Sequence, residues 1–241
     1  MAELDRERMA QAKRHTLQDE EASTATWNRR LAILGRILSL AVEEWGTLNE
    51  LPVRVKQWRV TEAQHRVRYL SKAEERQVLE LIGRSHRTRA ADVQDLVSFL
   101  VDTGFRLSEA LRLKGADVDL ENQMVTAWET KAGGHRTVPM TQRVVSIVER
   151  RLRGANDYVF EKIDKETVKR IWRDVRREMD LEDDSGFVVH ALRHTCGTRL
   201  ALAGKNARLI QLWLGHSSMK MTERYTNLRP DHLKSGLDGL E

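Results

Sequence analysis

The sequence is poor in the residues that staple or stiffen a chain: its 241 residues include one cysteine, Cys196, and three prolines. A single thiol allows neither an internal disulfide nor a cysteine-built zinc site. Three prolines exclude a proline-rich linker protein. No run approaches the roughly 18 apolar residues that a membrane-spanning helix needs, so no membrane partner is expected. The opening segment MAELDRERMAQAKRH mixes both charge signs and lacks an apolar core, unlike a secretory signal. These absences predict a reducing, cytoplasmic setting. Several catalytic signatures are missing as well. There is no phosphate-cradling GxxxxGK(S/T), no HExxH and no GxSxG, and the eight histidines show no zinc-like spacing. Neither nucleotide-driven nor metal-assisted chemistry is supported, so no cofactor and no metal ligand is assigned.

What the chain does have is positive charge, unevenly placed. Lys and Arg outnumber Asp and Glu by 41 to 36, a net +5. Residues 51–90 hold ten basic residues against Glu62, Glu74, Glu75 and Glu80, a surplus larger than that of the whole chain. Such a belt is an electrostatic footprint for a polyanion, most often nucleic acid, and Arg54, Lys56, Arg59, Arg66 and Arg68 are its candidate contacts. It equally fits a solvated helix face followed by a charged linker.

Hydrophobic periodicity organises the rest. Residues 1–22 are charged and weakly periodic, and are expected to fray. Ser23 and Thr24 are candidate N-caps for a helix whose apolar face is Trp27, Leu31, Leu34, Leu38, Val42 and Trp45, with Gly46 as its stop. Residues 53–69 read as a basic inter-domain linker. Ser71 with Glu74 is a capping-box signature. Val93, Leu96, Val97, Leu100 and Val101 mark a helix that ends at Thr103-Gly104. Residues 123–128 and 135–139 read as short strands joined through Ala132-Gly133-Gly134. Helices are predicted near 141–152, 165–180, 190–203, 206–214 and 218–226. The pattern is mainly α with a small β-sheet (α+β), divided into a partial helical region 1–52, a linker 53–69 and a main domain 70–241.

Four sequence features could carry chemistry. Thr103-Gly104-Phe105-Arg106-Leu107-Ser108-Glu109 places Arg106 at a helix start behind a glycine turn. In His190-Ala191-Leu192-Arg193-His194, His190 and Arg193 share a helix face. Leu214-Gly215-His216 is followed nine residues later by Tyr225, and Lys131 sits between the two strands. Taken singly, each has an ordinary structural reading: an Arg106–Glu109 ion pair, core histidines, a helix-capping His216, a packing tyrosine, a solvated hairpin lysine.

Taken together and in this order, TGFRLSE, HALRH, LGH and the Tyr225 of MTERYTNL resemble the tyrosine recombinase (phage integrase-type) family over residues 70–230. A weaker likeness extends to STATWNRRLAILGRILSLAVEEWG, similar to the last helices of that family's core-binding domain. The resemblance implies a tyrosine recombinase catalytic domain preceded by a short, partial core-binding region, with too few residues for the family's fuller N-terminal helical domain. It implies that Arg106, Lys131, His190, Arg193 and His216 form the catalytic set and that Tyr225 is the nucleophile. By the same token Glu109 is structural and His194 orders the site. The implied reaction is transesterification through a 3′-phosphotyrosyl intermediate, with His190 accepting the phenol proton and Lys131 protonating the departing 5′-oxygen. The implied partners are double-stranded DNA attachment sites, three further copies in a tetramer on DNA, and an accessory DNA-bending or directionality protein. The tail beyond Tyr225, with Leu233, Leu237 and Leu240, would dock on a neighbouring copy or fray. The implied role is integration or excision of a phage or mobile element. Alternatives are a chromosome-dimer resolvase, a non-catalytic DNA-binding protein on the same scaffold, or a type IB topoisomerase.

Overall fold

A computed structural model of the chain describes residues 4–62, 67–128, 134–153, 157–161 and 163–226. It divides into two compact units, Met1–His65 and Arg66–Glu241.

In the first unit, α1 (Arg6–Arg14) begins where the Asp5 carboxylate accepts from the Arg8 amide at 2.9 Å. A π-helical turn, His15–Asp19, continues it. The segment expected to fray is therefore helical from Arg6, with Met9 buried and Leu4 and Leu17 packed against the same apolar cluster. The second helix, α2 (Thr24–Glu43), starts at Ser23, whose hydroxyl accepts from the Thr26 amide. Trp27, Leu31, Leu38 and Ala41 are its buried face. It stops three residues short of Gly46, and this leaves Trp45 on the surface, 56% exposed, instead of on the predicted apolar stripe.

Residues 53–60 are not a free linker. Val53 is buried beside Trp27, Leu31 and Leu38, with Val55, Trp58 and Val60 packed against the same cluster. The Trp27 indole donates to the Trp58 carbonyl at 2.9 Å. Asn28 clamps Val60 from both sides, donating to its carbonyl at 2.8 Å and accepting from its amide at 3.0 Å. Apolar and basic residues interleave here, so Arg54, Lys56 and Arg59 are exposed and form no ion pair among the described residues.

The second unit opens with α3 (Lys72–Arg84), whose Ser71–Glu74 capping box forms as the spacing predicts. Then come α4 (Ala90–Thr103) and a single turn, α5 (Leu107–Ala110). The sheet follows: β1 (Val118–Asp119), β2 (Met124–Trp128) and β3 (His135–Pro139), antiparallel in the order β1-β2-β3, with Val125 opposite Val138 and Ala127 opposite Arg136. The two-residue β1 is too short to show a period and was not predicted. The chain closes with α6 (Gln142–Leu152), α7 (Lys165–Glu178), α8 (His190–Leu202), α9 (Ala207–Leu214) and α10 (Lys220–Thr226), each within about two residues of expectation.

Helix α4 runs through the centre of this unit, its Val93, Leu96, Val97, Phe99, Leu100 and Val101 all buried. Phe99 meets Phe105 and Phe160 edge-on, each at 5.2 Å between ring centres, a favourable aromatic geometry. The Leu70 amide donates to Thr195 Oγ1 at 2.9 Å, fixing the start of the unit to α8. Among the described residues no helix is long and apolar enough to cross a membrane.

Candidate active site

The site is built on helix ends. Thr103 closes α4, and Gly104 turns the chain at φ +69°, a left-handed conformation that glycine adopts without strain. A Cβ there would also lie 2.6 Å from Leu214 Cδ2. The turn delivers Arg106 to the N-cap of α5, where its amide donates to Glu109 Oε2 at 2.8 Å and its guanidinium to Oε1 at 2.6 Å. Burial alone would raise the Glu109 pKa. Arg136 and Arg106 outweigh it and hold the carboxyl down at about 2, so Glu109 is an anion at any working pH.

Helix α8 supplies His190, Arg193 and His194 from its first turns. Arg193 is 3% exposed and donates to the Gly104 carbonyl at 2.6 Å and to the Leu214 carbonyl. Burial and the neighbouring Arg106 and Arg136 lower its pKa to about 10, still cationic at neutral pH. At the end of α9 Gly215 takes φ +63°, and His216 follows with Nδ1 2.8 Å from Thr222 Oγ1. That contact ties His216 to α10, which carries Tyr225.

The Tyr225 hydroxyl lies 2.6 Å from His194 Nδ1. Its ring stacks on His216 at 6.0 Å and 8°. His190 meets His194 edge-on at 4.8 Å. Burial first, then surrounding charge, depresses all three imidazoles, His194 and His216 to about 4, so both are neutral at pH 7. Burial raises the Tyr225 pKa, and the Arg193 charge opposes that.

Arg106, His190, Arg193, His216 and Tyr225 thus belong to one linked cluster with Glu109 and His194. Two differences from expectation stand out. The imidazole bonded to the phenol is that of His194, and His190 lies one ring behind it. The reason is tertiary: where α10 lies on α8 is set by packing, which local spacing does not encode. Arg68, a candidate DNA contact, is instead an internal strut. It donates to Glu74 at 2.5 Å, to Asp184 at 2.7 Å and to the Tyr69 carbonyl at 2.5 Å, and lies 4.9 Å above the Phe187 ring. Its fork is satisfied by carboxylates, which removes it from the exposed basic belt. Lys131 and Arg66 lie outside the described residues, as does the tail with Leu233, Leu237 and Leu240.

Two residues escaped the sequence reading. Arg136 is buried on β3 and donates to Glu109 and to the Trp213 carbonyl. The signal was its place on the inward phase of the strand, with Val138. Gly197 lies inside α8, where a Cβ would come within 3.0 Å of Tyr225 Cζ and 2.9 Å of Leu214 Cδ1. A glycine in a helix interior costs stability, and that was its signal. Among the described residues no three His, Cys, Asp or Glu side chains gather as a metal-holding group.

The sequence profile of the phage integrase family matches residues 68–232. A shufflon-specific DNA recombinase of Escherichia coli is 30% identical over 210 residues, covering 86% of this chain and 52% of the relative. The integrase of Haemophilus phage HP1 is 29% identical over 217 residues, 88% and 59% of the two chains. The tyrosine recombinase XerA of Pyrococcus furiosus is 32% identical over 154 residues, 59% and 52%. The chain thus spans little more than half the length of these relatives. In fold it matches the Tn1549 transposon integrase solved with a circular intermediate DNA, TM-score 0.76 at 21% identity over 97% of this chain and 85% of that one. It also matches the XerH recombinase bound to its difH substrate after cleavage, TM-score 0.77 at 23% identity over 97% and 72%.

Proposed function

We propose, because the chain belongs to the phage integrase family, that it cleaves and rejoins DNA at specific sites through a 3′-phosphotyrosyl intermediate. The observation that carries this is the hydroxyl of Tyr225, 2.6 Å from the neutral His194 and in one cluster with two arginines and His216. The Tyr225 oxygen attacks the scissile phosphorus, the bond to the 5′-oxygen breaks, and the phenol proton passes to an imidazole. At pH 7 a phenol of ordinary pKa 10 is short of its anion by about 4 kcal/mol, which a hydrogen-bonded neutral histidine and nearby cations offset. Arg106 and Arg193 stabilise the charge that develops on the non-bridging oxygens, and His216 adds a hydrogen bond. Pre-placed donors of this kind contribute on the order of 3 kcal/mol each. Lys131 is assigned to protonate the leaving 5′-oxygen on the family resemblance.

A 5′-hydroxyl from a second strand then attacks the phosphotyrosine, the bond to Tyr225 breaks, and the phenol recovers its proton. The number of phosphodiesters is unchanged, so the exchange runs without ATP. The proposed partners are double-stranded attachment sites contacted by Arg54, Lys56 and Arg59, further copies of the chain in a tetramer, and an accessory DNA-bending or directionality protein. The proposed role is integration or excision of a phage or mobile element in the cytoplasm of a bacterial or phage-infected cell. Chromosome-dimer resolution by the same chemistry is the second reading.

A plasmid carrying two candidate sites tests the exchange in buffer with EDTA and no nucleotide. Recombinant product is expected. Relaxation of supercoils without partner exchange indicates a topoisomerase instead.

A further inference from the structure

We propose that Arg136 is a positioning residue that holds both catalytic arginines in place by bracing the two turns on which they rest. The inference rests on the recombinase reading above.

The guanidinium reaches three elements at once. Nη2 donates to Glu109 Oε2 at 2.6 Å and Nη1 to Oε1 at 3.3 Å. Nε donates to the Trp213 carbonyl at 3.1 Å. The plane lies 5.0 Å from the Phe105 ring centre. Arg136 and Glu109 are each 6% exposed at the side chain, so water competes little for these bonds.

Each contact sits one step from a catalytic group. Glu109 holds the amide and guanidinium of Arg106. The Trp213 carbonyl adjoins that of Leu214, which accepts from Arg193. These are the last carbonyls of α9, the negative end of the helix dipole, and the two arginines cap them side by side. The brace is closed by the Trp213 indole, which donates to the Thr103 carbonyl at 3.0 Å, while Arg193 takes the next carbonyl, Gly104. The turn before Arg106 and the turn before His216 are therefore laced together, and Arg136 reaches this lacing from the sheet. An Arg is required because a fork must span a carboxylate while Nε points to a carbonyl; a lysine ammonium on one flexible stem cannot hold both.

The test compares wild type with Arg136→Met, Arg136→Lys, Glu109→Gln and the Glu109→Gln/Arg136→Met double variant on a nicked duplex carrying a candidate site. Three quantities are read: DNA dissociation constant, single-turnover rate of covalent adduct, and thermal midpoint. Wild-type adduct is the control for the recombinase reading; if it is absent, that reading fails first and separately. With adduct present, Arg136→Met is expected to slow its formation about 30-fold or more while DNA affinity changes less than about threefold. Arg136→Lys recovers part of the rate. The double variant is expected to be much less impaired than the product of the single effects, because Arg136 acts partly through Glu109. An Arg136→Lys protein that is folded and as fast as wild type overturns the proposal. So do effects that multiply independently in the double variant, or a loss that appears only as weaker DNA binding.

Discussion

The phenol oxygen of Tyr225 lies 2.6 Å from Nδ1 of His194, and the His216 ring stacks on the tyrosine ring. The hydroxyl can donate to Nδ1 when the imidazole proton sits on Nε2. Since His194 is held neutral by burial, its lone pair is available at working pH. His194→Gln is therefore expected to slow covalent adduct formation by about 100-fold, within the range lost with a general base. His190→Gln should cost less. Single-turnover cleavage of the two variants checks the order; a slower His190→Gln protein would return the proton-accepting role to His190.

Gly197 gives the tyrosine its seat. A Cβ would meet the Tyr225 ring at 3.0 Å and Leu214 at 2.9 Å, closer than packed carbons tolerate. Gly197→Ala is expected to raise intrinsic helix stability by up to about 1 kcal/mol yet to push the ring away from His194. The expected outcome is a folded, DNA-binding protein whose adduct forms about 10-fold more slowly. Trimming Leu214 to Val in the same chain relieves one of the two contacts and should recover part of the rate.

Electrostatics separate two arginine classes that the sequence placed in one belt. Arg54, Lys56 and Arg59 are exposed, whereas Arg68 is bound to Glu74 and Asp184. Replacing the first three with Ala should lower the slope of log K against log salt by up to about 2.7, at about 0.9 per phosphate contact. Arg68→Ala should leave that slope unchanged and lower stability instead. Titrating DNA binding against salt and unfolding the same proteins in urea checks both halves.

Much of this architecture was legible in the sequence, and the reasons are local. Ser71 with Glu74, and Thr103 with Gly104, announce helix ends through their caps. The apolar spacing from Val93 to Val101 fixes α4. The four motifs point to the candidate site because each places its residue at a helix end or first turn. What was hidden depends on the third dimension. Met9, with Leu4 and Leu17 packed beside it, anchors a helix that its charged neighbours made look frayed. Val53, Val55, Trp58 and Val60 were masked by the basic residues between them. Arg136 reads as one more surface arginine until the strand phase turns it inward. The choice of His194 over His190 as the partner of Tyr225 follows from the seating of α10 on α8.

The buried histidines set an acid limit on stability. His194 and His216 are pushed down to about 4 by burial and by neighbouring positive charge, from an ordinary value of 6.5. Between pH 6.5 and 4 the unfolded chain binds protons that the folded chain refuses. The unfolding free energy is thus fully retained above pH 6.5 and falls as pH drops through this window, by at most about 2.7 kcal/mol per unit for two protons. Glu109, held at about 2, loses its contribution only below its unfolded value of 4.5, so it does not set the upper edge. Urea unfolding at pH 7.5 and pH 5 should show lower stability at pH 5.

In the proposed reaction Tyr225 becomes covalently joined to DNA. A nicked suicide duplex carrying a candidate attachment site, incubated with wild type and Tyr225→Phe, tests it most directly. A denaturation-stable protein–DNA adduct is expected with wild type alone, with the phosphate mapped to Tyr225 by mass spectrometry. An adduct of equal yield with Tyr225→Phe would contradict it.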